Sequence, residues 1–148
     1  MGFDLNTIEM RCHAETGVNF EILHPKTGKP IVDGDGKTLW INMSGSDASR
    51  IKSAVDERAA KREAEAKAAA AKNELVPLRT WQDNEDDMIE DLVLLTNGWS
   101  DNWVLDGKPF PFSKENAAIL YRRFPEIAAQ MTSRVTVRLN FLPTSASA

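Results

Sequence analysis

The chain has very little of the chemistry on which most enzymes depend. It contains one cysteine, Cys12, and two histidines, His13 and His24, among 148 residues. One cysteine excludes a disulfide within the chain and is typical of a protein from a reducing, cytoplasmic setting. Neither C-x-x-C nor H-x-x-x-H spacing occurs, so we predict no metal site and no cofactor. Glycine-rich phosphate loops and nucleophile-elbow patterns are missing too, and we therefore predict no catalytic residues and no enzymatic activity.

Long hydrophobic runs and an excess of positive charge are also missing. No apolar stretch approaches the length that crosses a bilayer, so we predict no membrane partner. The formal net charge at pH 7 is −4, which argues against nucleic acid as the main partner. The hydrophobic content of 42% is typical of a globular protein.

Residues 1–45 predict a small β-rich unit. Apolar residues alternate with polar ones in "GVNFEILHP" and again in "TLWINMSG", which is the period of a half-buried strand. "HPKTGKP" and "DGDGK" supply turns between these stretches. Because two or three strands alone are marginally stable, we expect a further strand from "DLNTIEMR", or packing of the unit on a partner.

Residues 46–77 predict a long helix. "AAKREAEAKAAAAK" has very high helix propensity, and almost no apolar stripe follows Ile51 and Val55. Glu63 and Lys67 are spaced for an ion pair along one helix face. We interpret the segment as a solvated, semi-rigid spacer between two units, with a partner-docking helix as the alternative.

Residues 78–142 predict a compact helical unit, and 143–148 a disordered tail. The first helix begins in an acidic stretch and is expected to end at the "NG" dipeptide. Ser113 is predicted to cap the second helix, and Pro125 to lie in the first turn of the third. The predicted fold class is therefore α+β: a small N-terminal antiparallel β unit, a long alanine-rich helix and a C-terminal helical unit.

An acidic cluster lies in the first helix of this unit, and no lysine compensates it. We interpret the cluster as a solvated helix start, where the helix dipole favours negative charge. A docking face for a basic partner and a weak divalent-ion site are the alternatives. The cluster consists of Asp83, Glu85, Asp86, Asp87, Glu90 and Asp91.

Two of the four tryptophans lie in "NGWSDNW", a stretch that we expect to be irregular. They either close a core from a loop or form a surface for a partner. The first alternative is favoured for Trp99, because Gly98 directs the chain back over the preceding helix. Neither alternative is favoured for Trp103, which lies among polar residues, since aromatic residues are enriched in binding hot spots. The candidate partner-binding residues are Trp99, Trp103, Phe110, Phe112, Tyr121 and Phe124.

The second half of the chain has a "GW" after a helix, an aspartate-glycine turn, a "P-F-S-x-E-N" helix start, a proline-led helix and a closing "NFL". This pattern resembles the C-terminal part of the tail assembly chaperones of long-tailed, siphovirus-type bacteriophages. "FEILHPKTGKP" and "SGSDASR" are similar to the N-terminal part of the same family. The C-terminal residues that carry the resemblance are Gly98, Trp99, Asp106, Gly107, Pro111, Phe112, Ser113, Glu115, Asn116, Pro125, Asn140, Phe141 and Leu142.

This resemblance implies a non-catalytic protein of the host cell cytoplasm that is absent from the mature virion. Members of the family coat and solubilise the tape measure protein and recruit subunits of the major tail tube protein. Self-association through the β unit is also expected, because open strand edges can add to another sheet. Shorter members of the family lack the alanine-rich insert, so the distance between the two halves of this chain is expected to differ from theirs.

Two other functions remain open from the sequence. The runner-up is a minor structural or tail-completion protein that is retained in the virion. A regulator of a host protein is the third alternative. The residues alone do not separate the first two functions, because both need only a two-part interaction protein.

Overall fold

The computed structural model describes residues 2–142 and has a mixed α+β fold, which confirms the predicted fold class. The predicted tail at 143–148 lies outside the described residues. Two 3-10 helices cover Leu5–Ile8 and Arg138–Phe141. The other elements are α1 (Arg11–Thr16), β1 (Val18–Glu21), β2 (Trp40–Met43), α2 (Ser49–Ala71), α3 (Trp81–Leu95), β3 (Thr96–Trp99), β4 (Val104–Leu105), β5 (Lys108–Pro109), α4 (Lys114–Arg123) and α5 (Pro125–Val135).

Three short strands form an antiparallel sheet in the order β1-β2-β3. Ile41 in the central strand is paired with Phe20 on one side and with Trp99 on the other. Ile41 and Met43 are buried, whereas the alternate residues of β2 are only half-buried. This alternation is the one that the sequence predicts.

The third strand comes from the C-terminal half of the chain. "DLNTIEMR" instead enters a 3-10 helix and α1, so the expectation of a strand there is wrong. "NGW" forms β3 directly after α3, and the expectation of an irregular backbone is wrong for these residues. Gly98 does not adopt the positive φ of a helix-ending glycine. Pairing with β2 outweighs the local turn signal, since strand formation depends mainly on tertiary context.

The sheet joins both ends of the chain in one core. Phe20 and Ile41 belong to the same buried cluster as Leu92 and Tyr121. Phe141, near the end of the described chain, packs edge-on against Phe20 with ring centroids 5.8 Å apart. Residues from the two predicted units therefore share one core, although the long helix lies between them in sequence.

The predicted long helix is present as α2, which has 23 residues and a length of about 35 Å at about 1.5 Å per residue. Ile51 is the only buried residue among these 23 described residues. The predicted ion pair between Glu63 and Lys67 is formed, with Nζ and Oε1 3.2 Å apart. The C-terminal half of α2 is a solvated helix.

Local sequence signals fix the starts of α3, α4 and α5. Thr80 Oγ1 accepts the Asp83 backbone N–H at 3.2 Å, and Asp83 Oδ2 accepts the Thr80 N–H at 2.9 Å, which forms a capping box at the start of α3. Ser113 caps α4, and Pro125 lies in the first turn of α5, as predicted. Within residues 2–142 no helix is both long and apolar enough to cross a bilayer.

Candidate interaction surfaces

The aromatic residues that follow α3 pack on one another. The Trp99 and Phe110 rings stack with centroids 5.4 Å apart, and the Trp103 ring centroid lies 5.2 Å from that of Trp99. Phe112 meets Trp99 edge-on at 5.1 Å. Both tryptophans and Phe110 are buried, with at most 8% of their surface exposed. Of the two alternatives for the tryptophans, closing the core is the one that the structure shows.

Hydrogen bonds fix both indoles in this position. Trp99 Nε1 donates to the Phe110 carbonyl oxygen at 2.9 Å, and Trp103 Nε1 donates to Ser100 Oγ at 2.9 Å. A buried indole N–H normally needs such an acceptor. The β4–β5 hairpin brings Phe110 back to Trp99 through Asp106 and Gly107, which have φ values of 52° and 77°. These two positive φ angles match the tight hairpin turn that an aspartate-glycine pair favours.

The remaining predicted aromatic residues are divided between core and surface. Tyr121 is buried, and its hydroxyl lies 2.6 Å from Thr96 Oγ1. Burial raises the pKa of the Tyr121 phenol, and the Thr96 hydrogen bond opposes that shift only in part. Phe112 and Phe124 are half-buried. The candidate partner-binding residues Trp103 and Phe110 therefore present no exposed aromatic face, because both rings are buried in the core.

Arginines from outside α3 compensate most of the acidic cluster. Asp87 is contacted by Arg58 and Arg62 of α2 and by Arg79, whose Nη2 lies 2.6 Å from Asp87 Oδ2. Arg58 also pairs with Asp91 at 2.7 Å. The cluster contains no lysine. Nothing in the local sequence indicates that arginines 8 to 33 residues away form ion pairs with these two aspartates. The interpretation as an uncompensated solvated helix start is wrong for these carboxylates.

The other acidic residues are engaged to different degrees. Asp86 pairs with Arg122 of α4 at 2.9 Å, and this hydrogen bond lowers the pKa of Asp86. Asp83 belongs to the capping box, and the Thr80 N–H that it accepts lowers its pKa. Glu90 Oε2 lies 3.8 Å from Arg58, while Glu85 forms no ion pair within residues 2–142. No group of three potential metal ligands is assembled in this part of the chain.

An exposed apolar segment connects α2 to α3. We call residues 75–81 the apolar linker; it runs into the first turn of α3. Leu75 is 95% exposed, Leu78 93% and Trp81 74%. Large apolar side chains that are exposed close together in the chain mark a candidate interaction site. The sequence analysis did not identify this surface, because "ELVPLRTW" spans the boundary between the predicted long helix at 46–77 and the predicted helical unit at 78–142.

A groove on the surface of α3 has an apolar floor. It lies between α2, α3 and α5 and has a volume of about 340 Å³. Met88, Leu92 and Leu95 of α3 line it together with Ile51 of α2 and Val135 of α5. The α3 residues that line the groove run from Asn84 to Leu95, so the groove follows most of the length of α3.

Comparison with known proteins identifies no relative of the chain. The chain matches no protein-family model. Neither the curated proteins nor the solved structures give a significant match. A function for the chain is therefore inferred from its own geometry and sequence motifs.

Proposed function

We propose that the chain is a non-catalytic tail assembly chaperone of a long-tailed bacteriophage. In this proposal it coats and solubilises the tape measure protein in the host cell cytoplasm, recruits major tail tube subunits, and leaves before the virion is complete. The observation that carries the proposal is the apolar linker, in which Leu75 and Leu78 are almost fully exposed. The sequence resemblance supplies the identity of the partners.

The positions that carry the resemblance support the proposal because many of them build the scaffold. Trp99 stacks in the core, and Asp106 with Gly107 forms the hairpin turn that brings Phe110 to it. Ser113 caps α4, and Phe141 is buried. A pattern made of scaffold positions fits a divergent family whose members share a framework and vary at the surface.

The chemistry of the apolar linker fits a weak and reversible contact. Residues 75–79 have no regular secondary structure, so this stretch can adapt to an apolar stripe on a helical client. Burial of one large apolar side chain contributes about 1.5–3 kcal/mol. Much of that gain is offset by ordering the segment and by the loss of free motion on association. We therefore expect modest affinity per copy and high avidity only when many copies line one client.

Self-association through the β unit remains part of the proposal. β1 and β3 are the outer strands of the sheet, and outer strands carry backbone groups that can pair with another chain. Each of these strands has only four residues. Short edges restrict such pairing, so we expect weak oligomers rather than a permanent dimer.

A pull-down tests the proposal against its alternative. The tagged protein is expressed in cells together with the neighbouring phage genes, and the proteins that it retains are identified by mass spectrometry beside purified particles. Recovery of the tape measure and tail tube proteins, with no copy in particles, is the expected result. A copy that stays in particles would instead identify a minor structural or tail-completion protein.

A further inference from the structure

The first turn of α2 is anchored firmly to the core. Ile51 is buried. Arg50 Nε donates to the Leu94 carbonyl oxygen at 2.9 Å, and its Nη2 donates to Ser44 Oγ at 2.7 Å. These contacts tie the start of α2 to the ends of α3 and β2.

Further along α2 the contacts are of another kind. Val55 is 47% exposed. Beyond Val55, every polar contact from α2 to α3 in the described residues is made by either Arg58 or Arg62. Arg58 binds Asp91 at 2.7 Å and approaches Asp87 at 3.6 Å, and Arg62 binds Asp87 as well. We call the following residues the ion-pair cluster: Arg58, Arg62, Arg79, Asp87, Glu90 and Asp91.

A cleft shows that α2 and α3 are not packed tightly at this level. It has a volume of about 340 Å³, and residues of α2 and α3 line it together with Arg79. Its lining is mostly charged and includes Lys61 and Glu65 of α2. No apolar seam of the kind that joins helices in a bundle is present among these lining residues. The ion-pair cluster therefore bridges a gap rather than sealing a packed interface.

Ion pairs and apolar contacts respond differently to salt. The Debye length falls from about 10 Å at 0.1 M salt to about 3 Å at 1 M, so partly exposed ion pairs weaken at high salt. The arginine and aspartate side chains of the ion-pair cluster are between 18% and 46% exposed. Salt ions in the solvent can therefore reach them. The apolar contacts of Ile51 and of the core lack this sensitivity.

We propose that residues 55–71 of α2 form an arm that the ion-pair cluster holds closed on α3. When the cluster is screened or broken, the arm pivots about its anchored first turn while the core stays folded. Opening releases the carboxylates of Asp87 and Asp91 from Arg58 and Arg62. The inference rests on the contacts of α2 alone and does not depend on what the protein binds.

Electron-electron distance measurements on the full chain test the arm directly. Cys12 is replaced by serine, and spin labels are placed at Ala66→Cys on α2 and at Ala129→Cys on α5, both exposed positions. At low salt we expect one narrow distance distribution. We expect the distribution to be at least twice as broad as this one in two cases: the labelled chain at about 1 M sodium chloride, and the Asp87→Asn variant at low salt.

Two further variants make the result decisive. Lys67→Ala removes the ion pair with Glu63, which lies entirely within α2, and should leave the distribution narrow. Arg62→Gln removes one contact to Asp87, and the Arg62 side chain is itself partly exposed. If Asp87→Asn fails to fold, Arg62→Gln is measured in its place, and we expect it to broaden the distribution. Near-ultraviolet circular dichroism of the buried tryptophans reports on the core in each sample.

The outcomes separate clearly. Broadening with an unchanged tryptophan signal supports the arm. A distribution that stays narrow at high salt and in Arg62→Gln overturns the proposal. Broadening that occurs only when the tryptophan signal is lost also overturns it, because α2 would then open only with the whole fold.

Discussion

The indole Nε1 of Trp99 donates a hydrogen bond to the carbonyl oxygen of Phe110 at 2.9 Å, and the two rings stack at 5.4 Å. This pair fixes the third strand of the sheet to the hairpin that follows it. The segment after α3 is therefore part of the framework, whereas Leu75 and Leu78, which precede α3, are almost fully exposed.

Replacement of Trp99 by alanine should cost about 3–5 kcal/mol of unfolding free energy, because it leaves a cavity in the core. The matched change is Trp81→Ala, at a position that is 74% exposed and should change stability by less than about 0.5 kcal/mol. Urea unfolding of both variants measures the difference. Similar losses for the two variants would contradict the assignment of Trp99 to the core.

Gly17 lies against the polar side chains on the outer face of the sheet. Its φ is +96°, and a Cβ there would overlap the Asn42 Oδ1 and Asn97 Nδ2 atoms. Gly28 also has a positive φ, +68°, but no described atom lies within 4 Å of a Cβ built on it. Gly28→Ala should cost about 1 kcal/mol for its left-handed backbone. Gly17 has a ψ of 158°, in a region that essentially only glycine adopts, so Gly17→Ala should cost about 1–3 kcal/mol through strain, and the overlap adds to this loss. Equal unfolding midpoints of the two variants in urea would contradict both the backbone strain and the close contact at Gly17.

The chain has one tyrosine, so its titration can be followed directly by ultraviolet absorbance. Burial raises the pKa of Tyr121 above the value of about 10 that it has when unfolded. The stabilisation linked to the neutral phenol is thus fully present below about pH 10 and is lost as the pH rises towards the folded-state pKa. We expect no tyrosinate in the folded protein near pH 10.5, and clear ionisation at the same pH in urea.

Tyr121→Phe provides the control for this titration. The variant lacks the absorbance change and should lose less stability between neutral pH and pH 10.5 than the parent chain does. Tyrosinate formation near pH 10, with the near-ultraviolet circular dichroism of the folded state intact, would be inconsistent with a buried phenol.

Local signals in the sequence predicted much of the fold. The serine cap of α4, the proline start of α5, the alanine-rich α2 and the alternation in β2 all depend on residues close together in the chain. Such features are encoded within one or two turns of the element that they start or fill. They were predicted correctly for that reason.

Features that depend on distant residues were missed. β3 forms because β2 lies beside it, and the local "NG" signal points to a turn instead. The acidic residues of α3 are neutralised by arginines of α2, which no local pattern links to them. An aromatic residue in a loop has the same sequence environment whether it faces the core or the solvent, so the burial of Trp103 could not be predicted.

The apolar linker should be required for partner binding and dispensable for folding. Leu75→Ser combined with Leu78→Ser is expected to weaken binding of a purified tape measure fragment at least tenfold, since about 1.4 kcal/mol corresponds to a tenfold change. Leu139→Ser is the control, because Leu139 is 71% exposed but lies outside the apolar linker. Titration calorimetry gives the affinities, and urea unfolding checks that all three chains fold. Equal affinity for the double variant and the parent chain would remove the apolar linker from the binding surface.

Chaperone activity itself is tested most directly by the solubility of the client. The tape measure protein is expressed in bacterial cells alone, with the parent chain, and with the Leu75→Ser, Leu78→Ser variant, and its soluble fraction is measured by quantitative immunoblotting. We predict that the parent chain moves most of the tape measure protein into the soluble fraction and that the variant does so poorly. A soluble fraction that is the same with and without the parent chain would contradict the proposed function.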